Sequence, residues 1–270
     1  MSSSFFDTLA YETLLKALSY FAFSTISFVL FYYALRDIFS HRKIQRFFPK
    51  FSDYRRDIFF SITSILIFGT TVALVFHTFD EYTLFYRGDW DQFGVAYYIF
   101  TIFWMLILHD FYFYWTHRLM HVKFIYNIAH KVHHRSSNPS PWSAYAFHPL
   151  EAIIQVGIFP LIAFTLPVHK SAVLIFFVFQ MIYNIYGHLG YELYPRGFHK
   201  TKIGRYINTS VSHNLHHSRF TGNFGLYFLI WDRLMGTIRD DYDPTFEAVT
   251  GSSGTQRSAP SLARTEYPES

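Results

Sequence analysis

The chain has 270 residues with a formal charge of +4; 51% are hydrophobic, 22% aromatic and only 16% charged. Soluble domains carry about 25% charged residues, so this chain is short of surface, and its 33 Phe and 21 Tyr suit a membrane with aromatic belts. Its basic residues are spread rather than striped, which argues against nucleic acid as a partner. The absence of cysteine excludes disulfides, thiolate metal sites, iron–sulfur clusters and a cysteine nucleophile.

The N-terminus lacks the basic region and small-residue cleavage site of a signal peptide, so the first apolar run is expected to remain as an anchor. Three long apolar runs, 14–35, 58–79 and 93–115, are each about 22 residues, enough to cross a hydrocarbon core of about 30 Å. Two shorter runs, 152–166 and 172–186, are separated by Pro167-Val168-His169-Lys170. At about 15 residues each they predict a helical hairpin dipping into the bilayer, or a tilted pair. The loop after the first span carries Arg36, Arg42, Lys43, Arg46, Lys50, Arg55 and Arg56, whereas the loop after the second carries Asp80, Glu81, Asp89 and Asp91 against Arg87. The positive-inside rule therefore puts the first loop in the cytoplasm and the second outside. The expected fold is an all-α integral-membrane bundle, with about three full spans, a hairpin and a histidine-rich cap on the cytoplasmic side. Residues 1–92 are expected to form the anchor, 93–243 the catalytic unit and 244–270, rich in Ser, Thr, Pro and Ala, a disordered tail.

Histidine carries the chemistry. His130-Lys131-Val132-His133-His134 and His213-Asn214-Leu215-His216-His217 repeat one pattern, His-x-x-His-His, and His117 and His121 form a further pair. On a helix, positions i, i+3 and i+4 share a face, so each triplet is expected to aim three imidazoles at one point. Together the eight exceed what one tetrahedral zinc uses, which predicts a two-metal site. Imidazole suits Zn, Cu, Fe and Ni, the zinc-protease signature His-Glu-x-x-His is absent, and eight or more neutral nitrogens favour redox iron over a hydrolytic metal.

His188, at the end of the fifth run in Tyr186-Gly187-His188-Leu189-Gly190, is the expected ninth ligand, with Glu192 at i+4 able to face the same metal. His148, ahead of a helix-starting Pro149, is expected to line the site or orient a ligand. Asp110 is expected to accept a hydrogen bond from a ligating imidazole, while His109 lies one turn too deep to ligate. His41, His77, His169 and His199 read as structural or loop residues.

These residues resemble the fatty acid hydroxylase/sterol desaturase superfamily of integral-membrane, non-haem di-iron oxidoreductases. The three histidine boxes carry the resemblance, together with a lead-in of Asp110, Tyr114, Trp115, His117 and Arg118, and with Trp231-Asp232 followed by Gly236-Thr237. Pro139-Ser140-Pro141-Trp142 and Ala146-Phe147-His148-Pro149 look like the C-5 sterol desaturase branch. Gly187-His188-Leu189-Gly190-Tyr191-Glu192 looks more like the sterol C-4 methyl oxidase and alkylglycerol monooxygenase type. The resemblance implies two iron ions, dioxygen as co-substrate, a lipid or sterol-like substrate, and electrons from a separate donor such as cytochrome b5 or a ferredoxin. It further implies a multi-pass protein of a bacterial inner membrane or of the endoplasmic reticulum. The rival readings are a zinc-dependent membrane hydrolase and a metal- or haem-binding electron carrier.

Overall fold

The computed structural model describes residues 4–251. Among the described residues, four helices are long and apolar enough to cross a membrane: Phe5–Ala34, Phe51–Thr78, Val95–Met120 and Lys170–Gly187. The first consists of α1 (Phe5–Val29) and a wider π turn, Leu30–Ala34. It starts nine residues before the apolar run because Ser4 and Asp7 form a capping box, and Lys16 then bonds Glu12 at 2.6 Å. Apolarity marks where a helix meets lipid; its caps decide where it begins.

Helix α2 (Phe51–Thr78) runs antiparallel to α1, with Tyr20 Oη 2.9 Å from Ser61 Oγ. Helix α3 (Val95–Met120) starts after Gly94, whose φ of +86° lets the chain turn into it. Short pieces follow: α4 (Lys123–Ile125), a π turn Tyr126–His130 and α5 (Lys131–His134).

The 152–166 run resolves into two short helices, α6 (Pro149–Val156) and α7 (Ile158–Thr165). Pro160 cannot donate to the Val156 carbonyl, and Tyr112 Oη donates to Ile154 O at 2.6 Å, which fixes the break at Gly157. A two-residue parallel pairing of β1 (Phe85–Tyr86) with β2 (Val168–His169) ties this hairpin to the loop after α2. Then α8 (Lys170–Gly187) returns parallel to α3: Tyr98 bonds Ser171 at 2.8 Å, and further along the His109 ring meets Phe176.

The apolar core between these spans contains Val72, Met105, Phe159, Ile162 and Phe176. Outward, Phe59 is 64% exposed and Phe103 61%. Apolar side chains of that size facing outward along every span mark a surface made for lipid. The chain is a multi-pass membrane protein.

The cap consists of α4, α5 and three later helices, α9 (Ser210–Arg219), α10 (Ile230–Leu234) and α11 (Tyr242–Gly251). Its own core is Ile44, Val211, Leu215, Leu229, Tyr242, Phe246 and Val249. The expectation of disorder from Pro244 therefore needs correction for 244–251. Tyr242, Phe246 and Val249 recur at helical spacing and bury one face of α11 on the cap. The rest of that expected tail lies outside the described residues.

Candidate metal centre

Nine histidines converge where α3 and α8 end. Their donor atoms form two groups, each with all members within 4.8 Å of one another: His117, His121, His130, His134 and His216, and His133, His188, His213 and His217. Each triplet is therefore divided, not aimed at one point as expected. His130 and His134 join the first group while His133 joins the second; His213 and His217 join the second while His216 joins the first. Helical geometry explains it. Positions i and i+4 are about 40° apart around the axis, whereas i+3 and i+4 are about 100° apart. Two triplets facing each other thus each give a pair to one centre and a single ring to the other.

Within the first group, Nε2 of His134 lies 3.1 Å from Nε2 of both His121 and His216. In the second, the Nε2 separations are 3.4 Å for His133–His188 and 3.1 Å for His188–His213 and His213–His217. Two nitrogens bound at about 2.1 Å to one ion lie about 3.0 Å apart in cis-octahedral and about 3.4 Å apart in tetrahedral geometry. The observed spacings fall in that window. Nε2 of His117 and of His130 is buried with no protein partner, which further fits a cation.

For His117, His216 and His188 the other ring nitrogen sets the orientation. Nδ1 of His117 donates to Phe224 O (2.9 Å), of His216 to Gly222 O (2.8 Å) and of His188 to Asn184 O (2.8 Å). A proton held on Nδ1 leaves the Nε2 lone pair for a metal. Burial, reinforced by neighbouring imidazoles, holds His130, His133, His134, His213, His216 and His217 well below the usual histidine range, and burial brings His188 down to about 4. These rings are neutral at pH 7 and can act as donors.

The carboxylates occupy other positions than expected. Asp110 does not accept from a ligand imidazole; its Oδ1 accepts the backbone N–H of Tyr227 (2.8 Å) and Phe228 (3.2 Å). Asp232 likewise holds Phe224 N and Gly225 N, both at 2.8 Å, and the Thr237 hydroxyl at 2.7 Å, while Tyr114 Oη lies 3.0 Å from Thr237 Oγ1. Asp110, Tyr114, Asp232 and Thr237 therefore clasp the loop whose Phe224 carbonyl orients His117. Glu192 is outside both donor groups. It accepts from Tyr186 Oη (2.8 Å), Tyr194 N (2.9 Å) and Val211 N (3.0 Å), placing a carboxylate at the start of α9, where the helix dipole favours it. His148 also lies outside both groups; it caps α6 by accepting Leu150 N at 3.3 Å.

That cap starts the helix bearing Glu151, a residue the sequence reading missed. Glu151 is fully buried and its Oε1 lies 2.8 Å from His130 Nδ1. Burial pushes this carboxyl well up and holds the His130 imidazole well down. The available signal was a lone acid opening an otherwise apolar run. His109 stays outside the groups, its Nδ1 2.9 Å from Tyr227 Oη, as do His41, His77, His169 and His199.

A cavity of about 910 Å³ lies between the spans beside this centre. Phe147 and Phe113 line it, their rings 5.0 Å from His133 and 4.9 Å from His117. A multi-pass helical bundle with two adjoining, wholly imidazole donor groups beside a mainly apolar cavity defines a polyhistidine membrane protein whose histidines could hold two metal ions. Sequence comparison supplies the family: the fatty acid hydroxylase profile matches residues 102–237, and the chain belongs to that family.

Among curated relatives, a Delta(7)-sterol 5(6)-desaturase of Gibberella zeae is 35% identical over 134 residues, 50% of this chain and 36% of that protein. Human lathosterol oxidase is 30% identical over 226 residues, 82% of this chain and 71% of its own. A Delta(7)-sterol 5(6)-desaturase of Candida glabrata is 26% identical over 245 residues, 90% of this chain and 63% of its own. The chain spans about half the length, or less, of the two Gibberella zeae relatives, at 36% and 51%. No solved structure matches the chain.

Proposed function

We propose that this protein is an oxygen-dependent membrane oxidoreductase that desaturates or hydroxylates a lipid, sterol-like by its relatives' names. His117, His121, His130, His134 and His216 would hold one iron, and His133, His188, His213 and His217 the other. The observation carrying this is the paired all-imidazole site at the floor of an apolar cavity. Five donors in one group exceed a tetrahedral zinc's four, which favours iron over zinc. Bound there, iron supplies the activation of dioxygen, with electrons from a separate donor of cytochrome b5 or ferredoxin type.

The chain's own residues do the rest. The spans admit substrate from the bilayer, Phe113 and Phe147 bring a C–H bond close to the histidines, and the apolar walls keep water out. Residues 93–243 would be the catalytic unit, and 1–92 the anchor, which braces the cap by bonding Gln45 Nε2 to Asn214 Oδ1 at 2.9 Å. The arginine- and lysine-rich loop after α1 supports a site on the cytoplasmic side.

The test is elemental analysis of purified protein together with lipid profiling of cells that lack it. Two irons per chain and a lipid product requiring both dioxygen and reductant are expected. Retention of two metals and full turnover by a His133→Ala, His216→Ala double variant would sink the proposal. Anaerobic activity without reductant would point instead to a zinc hydrolase, and a haem absorption band to an electron carrier.

A further inference from the structure

The inner end of the cavity carries uncharged polar side chains whose hydrogen bonding is only half used. His109 on α3 and Gln180 and Asn184 on α8 all line it. One atom of each is engaged: His109 Nδ1 with Tyr227 Oη (2.9 Å), Gln180 Oε1 with Tyr145 Oη (3.1 Å) and Asn184 Nδ2 with Ala144 O (2.8 Å). Among the described residues, His109 Nε2, Gln180 Nε2 and Asn184 Oδ1 have no partner. Phe176, Gln180 and Asn184 recur every four residues on one face of α8, and the His109 ring lies 5.5 Å from that of Phe176. Gln155 brings a further amide from α6. His109 is 3% exposed and Asn184 6%. Buried polar atoms almost always have a partner, and here it must come from within the cavity.

Charge and position narrow what that partner is. The cations that line the cavity are drawn elsewhere: Lys16 pairs with Glu12, Arg87 with Asp80, and Lys170 opens α8 about 21 Å from Asn184 at 1.5 Å per residue. Amides and an imidazole offer no counter-ion to a carboxylate, sulfate or phosphate taken out of water. They suit a hydroxyl, which both donates and accepts. The same residues stand close to the histidines. Asn184 precedes His188 by one turn, and its backbone carbonyl accepts from His188 Nδ1 (2.8 Å). Gln155 follows by one turn the Glu151 that meets His130, and His109 precedes His117 by two turns. Along the helix axes the polar atoms are therefore about 6–12 Å from the donor groups.

We propose, resting on the lipid-oxidoreductase reading, that His109, Gln180 and Asn184 bind the hydroxyl of a neutral lipid alcohol that enters the cavity head first. The hydroxyl is held one to two helical turns from the histidines, so the C–H bond to be cleaved lies only a few bonds from the carbon that bears it. The apolar body extends past Val72, Phe159 and Val173 towards Lys170. A few well-placed polar groups in a mainly apolar cavity are the usual means of fixing a ligand's orientation. In the sterols that the relatives' names specify, the 5(6) bond begins two carbons from the hydroxyl-bearing carbon, a separation this spacing accommodates.

Photolabelling of the iron-loaded protein in lipid nanodiscs reads occupancy and orientation without requiring turnover. The probes are cholestanol with a diazirine at C6 or at the end of its side chain, and the 3-deoxy counterpart of the C6 probe. The C6 probe should label Phe113, Phe147 or Phe176, and the side-chain probe Leu15, Phe76 or Phe85. The reverse pattern, or labelling confined to lipid-facing Phe103 and Ile107, overturns the proposal. Removing the hydroxyl should cut inner-end labelling about tenfold; equal labelling by the deoxy probe means that these polar atoms take water only, and overturns it too. Unlabelled cholestanol should compete and cholestanol sulfate should not, whereas equal competition overturns the neutral head. His109→Asn keeps an atom for Tyr227 but loses Nε2. With melting and iron content unchanged, it should weaken labelling by the hydroxyl probe about fivefold and leave the deoxy probe unaffected; parent-like labelling removes His109 from the site. Correct labelling without oxygen-dependent turnover sinks only the oxidoreductase reading, and turnover with hydroxyl-independent labelling sinks only this proposal.

Discussion

At the scale of single residues, the centre depends on which nitrogen of each ring holds its proton. Glu151 fixes this for His130 through a buried 2.8 Å contact. Its loss should leave the first donor group assembled but badly aimed, so Glu151→Gln is expected to lower iron affinity or turnover about 10- to 100-fold. Iron content and lipid turnover of the purified variant check this; parent-like values for both would show that the contact is dispensable.

His188 gives a pH dependence. Its pKa falls from 6.5 in the unfolded chain to about 4 in the fold, because burial disfavours the imidazolium. Above pH 6.5 both states are neutral and the contribution is fully present. As pH falls from 6.5 towards 4, the unfolded chain takes up a proton that the fold refuses. Stability drops by about 1.36 kcal/mol per unit, or about 3 kcal/mol across the window, from this residue. Melting of detergent-solubilised, metal-stripped protein should therefore fall steadily from pH 7 to 5; a flat profile would contradict the buried neutral state.

At the scale of elements, the histidine-bearing helices are short and irregular and are held by carboxylates bonded to backbone. Asp110 satisfies the buried Tyr227 N–H and the half-buried Phe228 N–H of the 224–228 segment. Leaving such donors unpaired costs about 1–3 kcal/mol, so Asp110→Ala should lower the melting temperature and also loosen His117, whose Nδ1 partner lies on that segment. Asp110→Asn retains a carbonyl oxygen as acceptor and should recover much of the loss. Equal damage from both variants would mean that charge, rather than the backbone contact, matters. Helix α11 belongs at this scale too. Phe246 is fully buried in the cap core, and Phe246→Ala is expected to cost about 3–5 kcal/mol, read as a lower denaturation midpoint.

For the whole molecule, four spans carry the cap at one end and the cavity mouth at the other. The absence of cysteine makes the chain a ready background for topology mapping. Asp89→Cys and Lys202→Cys lie at exposed positions near opposite ends. With impermeant maleimide on sealed right-side-out vesicles or cells, the first should be labelled from outside and the second only after the membrane is opened. The opposite pattern would invert the proposed orientation.

The sequence by itself determined the helical membrane class, the histidine-rich chemistry and the family. Each is written locally: apolar length sets a span, and His-x-x-His-His is visible without a partner. The motifs around Asp110, Tyr114, Asp232 and Thr237 were legible as a pattern, but their task of clasping one loop was not. Tertiary structure alone decided how each triplet divides between two centres, because that depends on two helices meeting face to face across eighty or so residues of chain. It also decided that Glu151 supports His130, that Glu192 seats α9 and that His148 caps a helix. A side chain's type and spacing fix what it can donate; which atom it meets is set by packing between distant segments.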